Sequence, residues 1–154
     1  MITLKRIKQT DAERQQLEQA MRKRALKRSL PLDYQSAQSD IGSDKLFVGY
    51  DGKKNVQFSR LRTSLERFLP RVVIVFSKDP TVFEYKLRYS LLSTIAVIFL
   101  ALVFILSVVS SLAEKDDYDR FVLPLFLIGC FWLLTLFELK IVGKRIKKAL
   151  PVKD

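Results

Sequence analysis

The chain has 154 residues, with 27 Lys and Arg against 16 Asp and Glu, no histidine and a single cysteine. Its net charge of +11 points toward an anionic partner, either a lipid surface or nucleic acid. The lack of histidine removes the commonest general base and metal ligand, and a lone Cys130 excludes an intrachain disulfide.

The apolar residues are segregated along the chain. Up to about Tyr89 it is polar and basic; beyond that Leu, Ile, Val and Phe dominate. The opening MITLKRIKQTDAERQ contains no apolar run of about 7–15 residues, so it is not read as a cleavable secretory signal. Insertion into a membrane would rest on a later segment.

Thr10-Asp11-Ala12-Glu13 has the form of a capping box. It predicts a helix running to about Ser29, ahead of Pro31, and so a basic helical region over 1–30. The apolar stripe of that helix is thin (Leu17, Ala20, Met21, Ala25), and Arg22, Lys23, Arg24, Lys27 and Arg28 crowd its end. Such a helix buries little alone. It reads as a solvated arm, as a helix for anionic headgroups or as a nucleic-acid arm. Juxtamembrane basic clusters gain about 1 kcal/mol per Lys or Arg on an anionic leaflet. Nucleic acid is disfavoured, because charge is present without any base-reading motif.

Residues 31–45 have linker composition. Over 46–78 the pattern changes. Leu46–Tyr50 and Asn55–Phe58 flank Asp51-Gly52, a hairpin signal. Leu61, Leu65, Phe68 and Leu69 share a helical face that Pro70 ends, and Arg71–Phe76 is a β-branched run. The expected order is a small α+β region, β-β-α-β, too small to be comfortably stable unsupported.

Asp79-Pro80 is a favourable helix start. It predicts a continuous helix over 79–113, with a juxtamembrane stalk before a first transmembrane span. Leu91 to Ala113 carries no charge and exceeds the roughly 20 residues that cross a bilayer core. Residues 114–120, Glu-Lys-Asp-Asp-Tyr-Asp-Arg, form a short polar turn, and 121–143 form the second span, with Pro124 near its start and Gly143 at its end. A basic tail follows over 144–154. The four carboxylates of the turn lack the glycine and spacing of a calcium loop, so they read as solvated and no metal is expected.

Lys and Arg crowd the ends opposite that turn: Lys86 and Arg88 before the first span, and Lys144, Arg145, Lys147 and Lys148 after the second. The positive-inside rule then places both termini in the cytoplasm, in the inner (plasma) membrane. Tyr85, Tyr89 and Tyr118 fit aromatic belts. Together with Arg22, Lys23, Arg24, Lys27 and Arg28, these cations are the expected contacts with anionic lipid.

Within the spans, Glu138 is the one carboxylate. Ionisable groups at that depth are costly and often functional. It could face Ser93 or Thr94, pair with Arg88, or snorkel beside Lys140 to the headgroups, the last being favoured. Ser107 and Ser111 form a small-xxx-small pair, with Gly129 as a flat patch opposite. Trp132 lies deep in the second run, where its N–H needs a partner or its ring a protein contact.

No Walker loop, G-x-G-x-x-G, C-x-x-C or H-E-x-x-H occurs, and no nucleophile has a histidine base. Neither a catalytic residue nor a cofactor is expected. The fold expected is a two-helix transmembrane hairpin carrying a small α+β cytoplasmic region, preceded by a basic helix. The function expected is that of a non-enzymatic accessory or assembly subunit of a membrane complex, with a protein partner or further copies of itself. The alternative is a two-span effector or protective factor that oligomerises in the bilayer or blocks a toxin there.

Overall fold

The computed structural model describes residues 1–34, 45–63, 65–79, 81–113 and 121–150. The polar turn 114–120, most of the 31–45 segment and residues 151–154 lie outside that set.

Among the described residues, six strands form one sheet, followed by two long apolar helices. The strands are β1 (Thr3–Lys8), β2 (Ala25–Arg28), β3 (Phe47–Asp51), β4 (Asn55–Arg60), β5 (Val72–Ser77) and β6 (Glu84–Tyr89). Helix α1 (Asp11–Lys23) joins β1 to β2, and α2 (Leu91–Ala113) and α3 (Val122–Ala149) close the chain. Short 3-10 turns occupy Leu32–Tyr34 and Leu65–Phe68.

The sheet order is β1-β6-β5-β4-β3-β2. The expected hairpin and third strand are its centre: β3, β4, β5 and β6 run as an antiparallel meander. β1 adds to β6 antiparallel, and β2 adds to β3 parallel. Because β1 and β2 lie on opposite edges, α1 must cross the sheet between them. The predicted capping box at Thr10 and Glu13 starts that helix. Its thin stripe suffices because Leu17 and Met21 need only fill the space above the sheet.

Alternation decides the two sheet faces. Phe47, Phe58, Val72, Ile74, Phe76, Tyr85 and Leu87 point toward α1 and form the larger core. Val48, Val73, Leu32 and Leu61 form a smaller cluster on the other face. Phe58 meets Phe76 edge-on at 5.8 Å, and Phe76 stacks on Tyr85 at 5.4 Å. Gly49 is mid-strand for a packing reason: a Cβ there would sit 3.1 Å from the Phe58 ring.

Three expectations change. Residues 1–30 are not one basic helix but β1, α1 and β2. The helix expected between the second and third strands is only the four-residue turn Leu65–Phe68. The stalk is absent as a helix: Glu84–Tyr89 is strand β6, and α2 begins at Leu91. In β6, Tyr85, Leu87 and Tyr89 are buried while Glu84, Lys86 and Arg88 are half-exposed, a period of two. A helix could not give those three apolar residues one buried face.

Both long helices are long and apolar enough to cross a membrane, and only 11% and 17% of their most apolar stretches are buried. α2 leaves directly from β6, whereas α3 returns and continues past the expected stop at Gly143 to Ala149. Val142, Ile146 and Ala149 join the sheet's larger core. The start of α2 and the end of α3 therefore meet the sheet at the same side.

Candidate functional site

The densest set of charged side chains lies where the sheet meets the two helices. β4 brings Arg60 there by parity: two residues beyond the inward Phe58, its side chain also points toward α3 and is fully buried. The Glu138 carboxylate faces it from α3 and is likewise fully buried. Arg60 Nε donates to both carboxylate oxygens at 2.9 and 3.0 Å, and Nη2 donates to Oε2 at 2.5 Å. Arg62 Nη2 reaches Oε1 at 3.0 Å. The two guanidinium groups thus clamp one carboxylate, in the bidentate geometry that arginine supplies best.

The same two arginines organise the turn between β4 and β5. Arg60 Nη1 donates to Glu66 Oε2 at 2.7 Å, and the Thr63 N–H donates to that oxygen at 2.9 Å. Arg62 Nη1 donates to the Leu69 carbonyl at 2.8 Å, and Nη2 to the Pro70 carbonyl at 3.0 Å. The Arg71 N–H then donates to Ser93 Oγ in the first turn of α2 at 2.7 Å, while its Nε donates to Ser59 Oγ at 3.2 Å.

Burial disfavours the charge on every cation here, and partners decide the outcome. For Arg60, Glu138 and Glu66 outweigh burial and hold the guanidinium above its ordinary value. For Arg62, burial and the adjacent Arg60 win over Glu138, and the value falls. Burial, with Arg62 nearby, lowers Arg71 to about 10, which still leaves it charged at neutral pH. Burial works against ionisation of Glu66, but the Thr63 N–H and Arg60 reverse it and lower its carboxyl. The cluster therefore sets the guanidinium groups of Arg60, Arg62 and Arg71 beside the carboxyl groups of Glu66 and Glu138.

A second ion pair secures the start of α2. The Asp33 carboxylate accepts from Arg88 Nη1 and Nη2 at 3.0 and 2.7 Å, and from the Leu91 N–H at 3.0 Å. It caps a helix 58 residues away in sequence. Between the helices, Tyr89 and Thr135 share a hydroxyl hydrogen bond of 2.8 Å, and Tyr89 lies against Phe131 at 5.9 Å. An apolar cleft of about 390 Å³ opens beside them, lined by Ile2, Leu4, Tyr89, Val97, Phe131 and Trp132 among others.

The expected site residues fall in different places. Glu138 pairs with neither Arg88 nor Ser93 nor Thr94, nor does it reach outward beside the exposed Lys140. Arg88 is taken by Asp33, Ser93 by the Arg71 N–H, and Thr94 by the Ser90 carbonyl. Ser107 bonds back to Val103 of its own helix and is half-buried, as is Ser111. Gly129 faces open space, and Trp132 is 58% exposed. The side of α3 that is covered carries Pro124, Thr135, Glu138 and Val142.

Among the basic residues, Arg22 bridges Glu18 and Asp51 at the sheet end away from Arg60. Arg24 donates to the Lys148 carbonyl, Arg145 to the Leu46 carbonyl, and Lys86 pairs with Glu84. Lys23, Lys27, Arg28, Lys144, Lys147 and Lys148 are exposed.

Arg60, Arg62, Arg71 and Asp33 were not singled out by sequence. One signal was present: Arg60 sits at an inward position of a strand, where a cation requires a buried carboxylate. Guanidinium stays protonated, so Arg60 and Arg62 act here as fixed donors to the Glu138 carboxylate. The physical effect of the arrangement is positional. Breaking one partner of such a cluster leaves an uncompensated buried charge, and the cluster ties β4 and the turn after it to α3. No family model, no curated protein and no solved structure matches this chain.

Proposed function

We propose that the protein is a two-span membrane protein acting as a non-enzymatic accessory or assembly subunit. In this reading its hairpin sits in the plasma membrane and its sheet domain meets a protein partner on the cytoplasmic side. The observation that carries it is the exposure of the two apolar helices. A core helix of a soluble protein is covered by its own chain, whereas these are only 11% and 17% buried over their most apolar stretches. Hydrocarbon satisfies such surfaces, because a helix needs no backbone partner from lipid.

The shared end of α2 and α3 supports a hairpin with the sheet on one side. Lys140 and Lys144 lie exposed just past the apolar run of α3, and serve as the first contacts with anionic headgroups. Lys147 and Lys148 follow a turn further out. A rigid bond between sheet and hairpin suits a subunit that holds a partner at fixed height above the bilayer.

The test is extraction and capture. The tagged chain should resist alkaline carbonate, dissolve in mild detergent, and bring a larger protein with it at constant ratio. Release by carbonate without detergent would remove the membrane placement. If instead it purifies alone and depolarises cells on over-expression, the effector alternative takes the place of the accessory subunit.

A further inference from the structure

We infer that the turn between β4 and β5 is a third bilayer contact, with Phe68 inserted at the headgroup–acyl boundary; this rests on the membrane placement proposed above. Phe68 is 86% exposed, the most exposed large apolar side chain of the described residues. A single exposed apolar residue is ordinary on a protein surface. This one is distinguished by where it is held and by how firmly.

The turn is fixed from two sides at the height of the junction. Glu66 joins it to Arg60, and Arg60 to Glu138 on α3. Arg62 grips the Leu69 and Pro70 carbonyls on its far side while also holding Glu138. The Arg71 N–H ties the next residue to Ser93 on α2. Ser93 stands in the first turn of α2, and Glu138 directly follows the charge-free run of α3. Both mark the same boundary of the apolar band.

At that boundary the helices already expose Leu92 at 76% and Phe137 at 56%. Phe68 therefore lies on a turn anchored at the edge of that band, rather than on a loop free of both helices. A phenyl ring at this depth gains from acyl contact, as the apolar residues of interfacial segments do. The occupant is lipid because the turn that carries the ring is tied to both helices at the edge of the band that the hairpin presents to it.

The experiment places one tryptophan at a time. The native chain has a single Trp132; the comparison chain is Phe68→Trp in a Trp132→Phe background. Both are reconstituted in vesicles of phosphatidylcholine brominated either near the headgroup or near the chain ends. For Phe68→Trp we expect blue-shifted emission and quenching at least about twofold stronger by the shallow bromines than by the deep ones. Position 68 is exposed, so the exchange leaves the core untouched, and an unchanged unfolding midpoint checks this. If bromolipids quench Trp132 but not the new tryptophan, the inference falls and the hairpin placement stands. If neither is quenched, the membrane placement itself falls. A tryptophan at 68 that is shielded from iodide yet insensitive to both bromolipids would mean a protein covers the turn, and this too overturns the inference. So would quenching that does not depend on bromine depth.

Discussion

Glu138 is where the energetics concentrate. A carboxylate and two guanidinium groups, all fully or almost fully buried, lose their hydration, and the mutual attraction roughly offsets that loss. The cluster therefore adds little net stability, but removing one member strands the others. Replacing the carboxylate by Glu138→Leu should destabilise the fold by about 3–5 kcal/mol, since Arg60 and Arg62 then stay buried without it. The double exchange Arg60→Met with Glu138→Leu should recover much of the loss, because Arg62 keeps its two carbonyl partners and the remaining contact is apolar. Unfolding in detergent, followed by circular dichroism for the four chains of the cycle, measures both. A double mutant as unstable as the sum of the singles would show that the two residues do not act as a pair. The sequence marked Glu138 as singular but gave no means of finding its partners. They lie 78 and 76 residues earlier, and only the sheet order brings them near.

Elements whose signal is local were legible; those that depend on a neighbour were not. The α2 bounds coincide with the charge-free run, since apolar length and an uninterrupted helix leave no other choice. The Asp51-Gly52 hairpin and the capping box are likewise local chemistry. Strand β6 carried a period of two in EYKLRY, but a favourable helix start before it and a long helix after it suggested one continuous rod. β1 was hidden because its pairing slips between Thr3 and Lys5, which disturbs the alternation. β2, four residues at an edge, looks like the tail of the preceding helix. The start of α2 shows the same dependence on distant chain, for its cap is Asp33. Burial pushes that carboxyl up, but Arg88 and the Leu91 N–H together bring it below the ordinary 3.8. A folded value below the unfolded one means that the stabilisation is complete above about pH 3.8 and fades as the pH falls through the folded value. The advantage of the native chain over Asp33→Asn should then be full at pH 7 and shrink progressively in acid. The Glu66 carboxyl is also held below its ordinary value but is common to both chains, so it cancels in the difference. A gap that stays constant down to pH 2 would show that Asp33 acts through its shape and not its charge.

At the scale of the whole molecule, the sheet, the start of α2 and the end of α3 form one body. α3 makes this possible by its length: 28 residues rise roughly 42 Å, more than a bilayer core of about 30 Å. The surplus is the segment that carries Val142, Ile146 and Ala149 into the sheet core. In the proposed placement, the sheet cannot tilt without turning α3, and a partner bound to the sheet would feel the hairpin directly. In the same proposed placement, charge predicts the orientation. Lys and Arg accumulate on the sheet side, where the exposed Lys140, Lys144, Lys147 and Lys148 line the end of α3, while the segment between the spans has only Lys115 and Arg120. With Cys130→Ser removing the native thiol, Asp117→Cys and Lys147→Cys supply one reporter at each end. In intact cells a membrane-impermeant maleimide should label the chain with Asp117→Cys and leave that with Lys147→Cys unlabelled until the membrane is opened. Labelling of both before permeabilisation would mean that the helices do not separate two compartments. The reverse pattern would keep the hairpin but turn it over, and the sheet would then face the cell exterior despite its excess of cations, against the charge rule that sets the orientation here.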